Sequence, residues 1–145
     1  MVRLPGARIT VTPVVDLADH VRVDQWEIPD RIRERVLLRD GGCVFPRCGR
    51  TARPTAHRPG CDADHVLPHA RGGPTCPCNL APLCRRHHRL KTHSAWRYHV
   101  VEPGSYHWTS PHGLTFLVDH RGTTDLSPRP TTARCTDTRA DPPDQ

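Results

Sequence analysis

Aromatic residues are scarce in this chain, at 5% of 145 residues, and hydrophobic residues reach only 35%. With 16 prolines and 10 glycines, that is thin material for a large core, so a metal staple would help a small fold hold. No apolar run approaches the ~20 residues a membrane-spanning helix needs, which excludes a membrane protein of that kind. There are no internal repeats. The opening stretch, MVRLPGARITVTPVV, is broken by Pro5, Arg8 and Pro13 and does not have the form of a secretory signal. The expectation is therefore a reducing, cytoplasmic setting, in which the seven cysteines serve as metal ligands or free thiols rather than disulfides. The length predicts one domain with loose ends.

What the chain does have is positive charge in one place. Residues 31–99 carry thirteen Arg and Lys91 against Glu34, Asp40, Asp62 and Asp64, a net of +10, leaving −4 for the remainder of a chain whose total is +6. An Arg-rich surface concentrates polyanions, because each phosphate contact releases condensed counterions. The basic segment is also where the candidate metal ligands lie, and nucleic acid is the partner this distribution favours over a merely solvated face.

Along the chain, residues 8–15 (RITVTPVV) read as a short edge strand limited by Pro13. Residues 29–39 (PDRIRERVLLR) predict a helix, with Ile32, Val36 and Leu37 at helical spacing and Gly41-Gly42 as its stop. CVFPRCGR makes a tight turn between two cysteines, and 51–60 is loop. DHVLPHARGG reads as a strand running into a turn at Gly72-Gly73. A second helix is expected from Asn79 to about Thr92, with Leu80, Leu83, Cys84 and His87 on one stripe. Residues 96–101 and 114–119 read as strands joined by a polar loop. After Leu126 the composition predicts disorder.

Two constellations carry chemistry. Cys43-x4-Cys48 and Cys84-x2-His87 are two close ligand pairs of the kind that build a closed tetrahedral zinc site. A four-residue gap lets a knuckle present two thiolates, and positions 84 and 87 face one way on a helix. Cys61, Cys76 and Cys78 remain eligible substitutes, although Cys76-x-Cys78 is tight for a knuckle; Cys135 falls in the tail without a role. The second constellation is Asp64, His65, Asn79 and His88. Adjacent helix residues are rotated by ~100°, so if His87 completes the zinc, His88 is aimed elsewhere, toward Asp64 and His65. A carboxylate and an imidazole offer an open site for Mg²⁺, Mn²⁺ or a similar ion, with His65 beside it as a base that titrates near neutral pH. That set suits phosphodiester hydrolysis.

At DADHVLP, GGPTCPCNLAPLC and CRRHHRLKTH the chain resembles the HNH endonucleases, the ββα-metal nucleases. The likeness extends over roughly residues 9–122, to PVVDLADHVRVDQWEIPDRIRERVLLRDGGCVFPRC upstream and THSAWRYHVVEPGSYHWTSPHGLTFLVD downstream. Both look like a large bacterial family in which a helical domain of unknown function precedes the HNH domain. The resemblance implies that His65 is the general base, that Asn79 positions the base hairpin or joins the metal shell, and that His88 binds the catalytic ion with Asp64. It makes Cys43, Cys48, Cys84 and His87 the zinc staple, with His87 standing where many such proteins have Cys. The implied fold is α+β, a small zinc-stapled ββα core with flanking short strands. Residues 1–28 are a remnant of the preceding domain, 29–122 the nuclease domain and 123–145 a disordered tail. The function implied is a metal-dependent endonuclease acting on double-stranded DNA. The competing reading is a catalytically inactive, zinc-stapled nucleic-acid-binding module, which would need none of Asp64, His65 and His88.

Overall fold

The computed structural model describes residues 21–128; the strand expected at 8–15 and the tail from 129 onward lie outside the described residues. Helix α1 (Asp30–Asp40) forms where the spacing predicts it. Asp30 in its first turn and Arg39 in its last complement the helix dipole. The stop is Gly41, at φ 66°, which donates its N–H to the Leu37 carbonyl; that left-handed turn is one glycine adopts without steric cost. Ile32 and Val36 point inward and pack with Leu80 into a small core, joined by Val21, Val23 and Ile28.

A two-stranded antiparallel hairpin follows, β1 (Cys61–His65) against β2 (Leu80–Cys84), with Asp64 opposite Ala81 and His65 opposite Leu80. Helix α2 (Arg85–His93) leaves β2 directly. The single helix expected from Asn79 to Thr92 is thus wrong in its first half. Leu80–Cys84 is a strand buried at every position, and an apolar run covered on both faces shows no period by which to tell strand from helix. Pro82 argued for the strand: inside a helix it would remove a hydrogen bond and clash with the preceding turn, whereas on this edge strand it is tolerated.

The second layer is a four-stranded antiparallel meander, β3 (Arg97–Glu102), β4 (Ser105–Thr109), β5 (Thr115–Asp119) and β6 (Gly122–Asp125), in that order. The polar loop expected between 101 and 114 in fact holds β4, whose Tyr106 and Trp108 are fully buried while Ser105, His107 and Thr109 alternate with them. Polar residues at every second position disguised a half-buried strand as loop. The domain boundary expected at 122 falls inside this sheet, because β6 pairs with β5 from Asp119↔Gly122 to Phe116↔Asp125. Thr and Gly in that stretch contribute backbone pairing rather than an apolar signal.

The inner face of the meander meets the hairpin and the 43–48 turn in the main core. Six of the chain's seven aromatic residues lie in or against it, Trp26 being the exception. The few aromatics are therefore concentrated rather than dispersed. Arg39 ties the layers together, donating to the carbonyls of Pro77 (2.6 Å) and Leu80 (2.9 Å) and to the Tyr106 hydroxyl (2.6 Å), which in turn donates to Asp40 (2.8 Å).

Candidate active site and metal centre

The ligand atoms of Cys43, Cys48, Cys84 and His87 all lie within 4.8 Å of one another. These are the four residues that the spacing paired. Gly41-Gly42 turn the chain out of α1 so that Cys43 begins a tight turn closed by the Cys48 N–H on the Phe45 carbonyl at 3.1 Å. The turn is pinned to β2 by the Val44 N–H on the Pro82 carbonyl at 3.0 Å. Cys84 ends β2 and caps α2, so His87 sits in the first turn of that helix, and its Nδ1 approaches Cys84 Sγ at 3.3 Å and Cys43 Sγ at 3.4 Å. Those separations are close to the ~3.6 Å edge of a tetrahedron built on ordinary zinc–sulfur and zinc–nitrogen bonds. Phe45 stacks on the His87 ring, 3.9 Å between centroids and 12° between planes, which fixes the imidazole. The donor set and its geometry fit a metal such as zinc.

As thiols, Cys43 and Cys48 hold their protons. A hydrogen bond with Cys61 and burial push Cys43 up, and burial first of all pushes Cys48 up to about 12. A bound cation reverses that balance through its own charge. Cys61, opposite Cys84 in the hairpin, borders the cluster and donates to the Thr51 carbonyl at 3.4 Å, but it is not among the four. Cys76 and Cys78 are joined in a disulfide, contrary to the expectation that no cysteine pairs. A 3₁₀ turn at Pro77–Asn79 brings their Cα atoms to 5.2 Å, within disulfide range, and this removes both from the pool of alternative ligands.

Of the second constellation, the structure brings Asp64 and His88 together. Asp64, only 7% exposed, lies at the end of β1, and its Oδ1 is 3.1 Å from His88 Nε2 on α2. Its Oδ2 accepts from Lys91 Nζ and from the Tyr98 hydroxyl, each at 2.8 Å. His65 follows, 9% exposed, with Nε2 hydrogen-bonded to Thr75 Oγ1 at 2.8 Å. Its Nδ1 has no hydrogen bond among the described residues. Burial lowers the His65 pKa, against the raising influence of Asp64 and with His69 and Lys91 lowering it further. Neutral imidazole is therefore favoured, as a base requires.

Asn79 does not reach toward Asp64. Its Oδ1 accepts the Leu67 N–H at 2.9 Å, and its Nδ2 donates to the carbonyls of Leu67 (2.9 Å) and Pro74 (3.0 Å). With its amide engaged in this way, Asn79 is a clamp across the loop that leaves His65. Gly73 makes the clamp possible, since a Cβ there would overlap the Leu67 carbonyl and press on Asn79 Nδ2 at 2.9 Å.

Asp64, His65, His69, Arg71, Lys91 and Arg97 line one cleft of about 690 Å³, with Trp26, 75% exposed, at its rim. Three of the residues that organise this site were not singled out from the sequence. Lys91 is the only lysine in the chain, against twenty arginines, and that exception was a legible signal. An arginine fork would not fit the single point where Lys91 Nζ meets both Asp64 Oδ2 and the His65 carbonyl (2.8 Å). Tyr98 and Thr75 gave no comparable sign, because their partners lie 34 and 10 residues away.

Residues 43–94 match the HNH endonuclease family. The chain is similar to the uncharacterized protein Rv3776 of Mycobacterium tuberculosis, at 43% identity over 89 residues, which cover 61% of this chain and 16% of that protein. It is also similar to the uncharacterized protein Rv2100 of the same organism, at 38% over 110 residues, 75% of this chain and 19% of that one. The chain thus spans less than a fifth of the length of the curated relatives it matches. No solved structure matches it. No helix among the described residues is long and apolar enough to cross a membrane.

Proposed function

With residues 43–94 forming an HNH endonuclease domain, we propose that this chain hydrolyses phosphodiester bonds in DNA, using one structural zinc and a second divalent ion. The observation that carries the proposal is the pairing of Asp64 Oδ1 with His88 Nε2 at 3.1 Å, beside a buried His65 whose Nδ1 has no hydrogen bond among the described residues. A module that only binds nucleic acid needs neither.

The residues fit a Mg²⁺ or Mn²⁺ ion. Adjacent ligands of an octahedral ion with bonds near 2.1 Å stand about 3 Å apart, which is the spacing of Asp64 Oδ1 and His88 Nε2. These two would hold the ion, with Lys91 and Tyr98 fixing the carboxylate through its other oxygen, Oδ2. The ion would neutralise charge on the scissile phosphate and the departing oxygen. His65 takes a proton from water at Nδ1 as the water oxygen bonds to phosphorus. The bond to the 3′ oxygen breaks, and that oxygen leaves with a proton from solvent. Asn79 holds the loop that leaves His65, and Arg71 and Arg97 in the cleft, with exposed Arg85, Arg86 and Arg89 on α2, bind the strand.

The test is a plasmid-nicking assay on zinc-replete protein, with Mg²⁺ or Mn²⁺ added to the parent and to His65→Ala. Nicking by the parent alone is the expected result. Should the parent bind DNA yet nick it with neither ion, or should His65→Ala nick as fast as the parent, the chain is a binding module.

A further inference from the structure

Thr75 is fully buried, and its hydroxyl has two partners. One is the backbone carbonyl of Gln25, which carries no proton and can only accept. The single hydroxyl proton of Thr75 is therefore committed to Gln25. The other partner, His65 Nε2 at 2.8 Å, must then be the donor in its own bond, because Thr75 Oγ1 has only lone pairs left to offer. This places the proton of neutral His65 on Nε2 and leaves the lone pair on Nδ1. The segment that supplies the Gln25 carbonyl is itself fixed, since the Val23 N–H donates to the Thr75 carbonyl at 3.0 Å.

We propose that Thr75, with the Gln25 carbonyl behind it, is a positioning residue that selects the Nε2–H tautomer of His65 and so makes Nδ1 the basic atom facing the cleft. The proposal deepens the nuclease reading and rests on it for its catalytic consequence, but the tautomer itself does not depend on activity. Two neighbouring features agree with it. His65 has its ring turned by an edge contact with His69, 5.8 Å between centroids, and its carbonyl is held by Lys91. The ring then needs one more fixed bond to define which nitrogen is free, and Thr75 makes it. Thr75 acts through His65 and does not touch the reacting atoms.

Two measurements test it on the full chain. The first is the long-range proton–nitrogen NMR spectrum of the histidine side chains, with His65 assigned by its loss in His65→Ala, recorded where the ring is neutral. The parent should show the Nε2–H form of His65, and Thr75→Val, which keeps the shape without the hydroxyl, should show a mixture or the Nδ1–H form. The second is cleavage kinetics: Thr75→Val should lower kcat by about 10–100-fold, as loss of such an orienting partner does, with KM little changed. Thr75→Ser, which restores the hydroxyl, should recover both the tautomer and the rate. An Nδ1–H His65 in the parent overturns the proposal, as does Thr75→Val with parental kcat. If Thr75→Val does not fold, the parent spectrum and the Thr75→Ser rate decide. If the parent cleaves nothing, the nuclease reading fails and the spectrum still tests the relay.

Discussion

In the proposed reaction His65 would act through two distinct properties, an Nδ1 without a hydrogen bond among the described residues and a lowered pKa. Loss of the imidazole in His65→Ala should leave zinc content, fold and DNA binding intact while cleavage falls by about 10²–10⁴-fold, the usual cost of a missing general base; metal analysis and binding assays beside the nicking rate check this. The pH dependence follows from sign. Only neutral His65 accepts water's proton, so activity rises as pH climbs through the folded-state pKa. Burial puts that pKa below the ordinary histidine value of 6.5. Cleavage by the parent should therefore already be close to its plateau at pH 7 and drop on the acid side of 6.5, in a pH–rate profile measured at saturating divalent ion. A profile still rising steeply above pH 7 would mean that His65 is not the titrating base. Lys91 belongs to the same scale: Lys91→Met should leave Tyr98 as the remaining partner of Asp64 Oδ2 and lower cleavage more than it lowers DNA affinity.

Among the elements, α2 contributes no buried residue of its own, so the four candidate ligands would tie its start to the 43–48 turn and the end of β2, beside the Val44–Pro82 hydrogen bond and the Phe45–His87 stack. Metal binding energy in such a closed site is largely folding energy. Cys43→Ser or Cys84→Ser should unfold the chain or lower its melting temperature severely, with zinc lost by elemental analysis. Cys61→Ser, by contrast, should keep its zinc, because its sulfur lies outside the four-atom group. The loop between β1 and β2 depends instead on Asn79. Asn79→Ala strands the Leu67 N–H and the Leu67 and Pro74 carbonyls, and should cost about 1–3 kcal/mol in denaturant unfolding, the range for one buried polar group left unpaired, because Leu67 is 47% exposed and water can serve its backbone groups. Its zinc should remain, since no metal ligand is touched.

For the whole molecule the deciding quantity is charge distribution. The +10 carried by residues 31–99 includes Arg85, Arg86 and Arg89, which stand exposed on α2, the helix that also carries His87 and His88. Affinity for DNA should fall steeply with salt, with a slope of about −0.9 per phosphate neutralised on a log–log plot. The triple change Arg85, Arg86 and Arg89 to Gln should shallow that slope by one to three contacts without changing the melting temperature. A fluorescence titration across a salt series makes the comparison. An unchanged slope would move the contact surface off α2.

The amino-acid order alone determined which residues meet at the candidate metal centre. Cys43-x4-Cys48 and Cys84-x2-His87 are short-range spacings, and a turn or the first turn of a helix fixes what such spacings bring together wherever the element sits. That His87 and His88 point to different partners was legible for the same reason, as neighbours on a helix that cannot face one point. Helix α1 was legible through its period and its glycine stop. The strand state of Leu80–Cys84 was not, because it is decided by pairing with Cys61–His65 and by burial on both faces. Nor was β4, whose Tyr106 and Trp108 become a core only when the meander folds over the hairpin. The partners of Asp64 and His65 belong to tertiary structure for the same physical reason. Lys91, Tyr98 and Thr75 are remote in sequence, and a hydrogen bond's geometry exists only once packing has brought donor and acceptor within 3 Å.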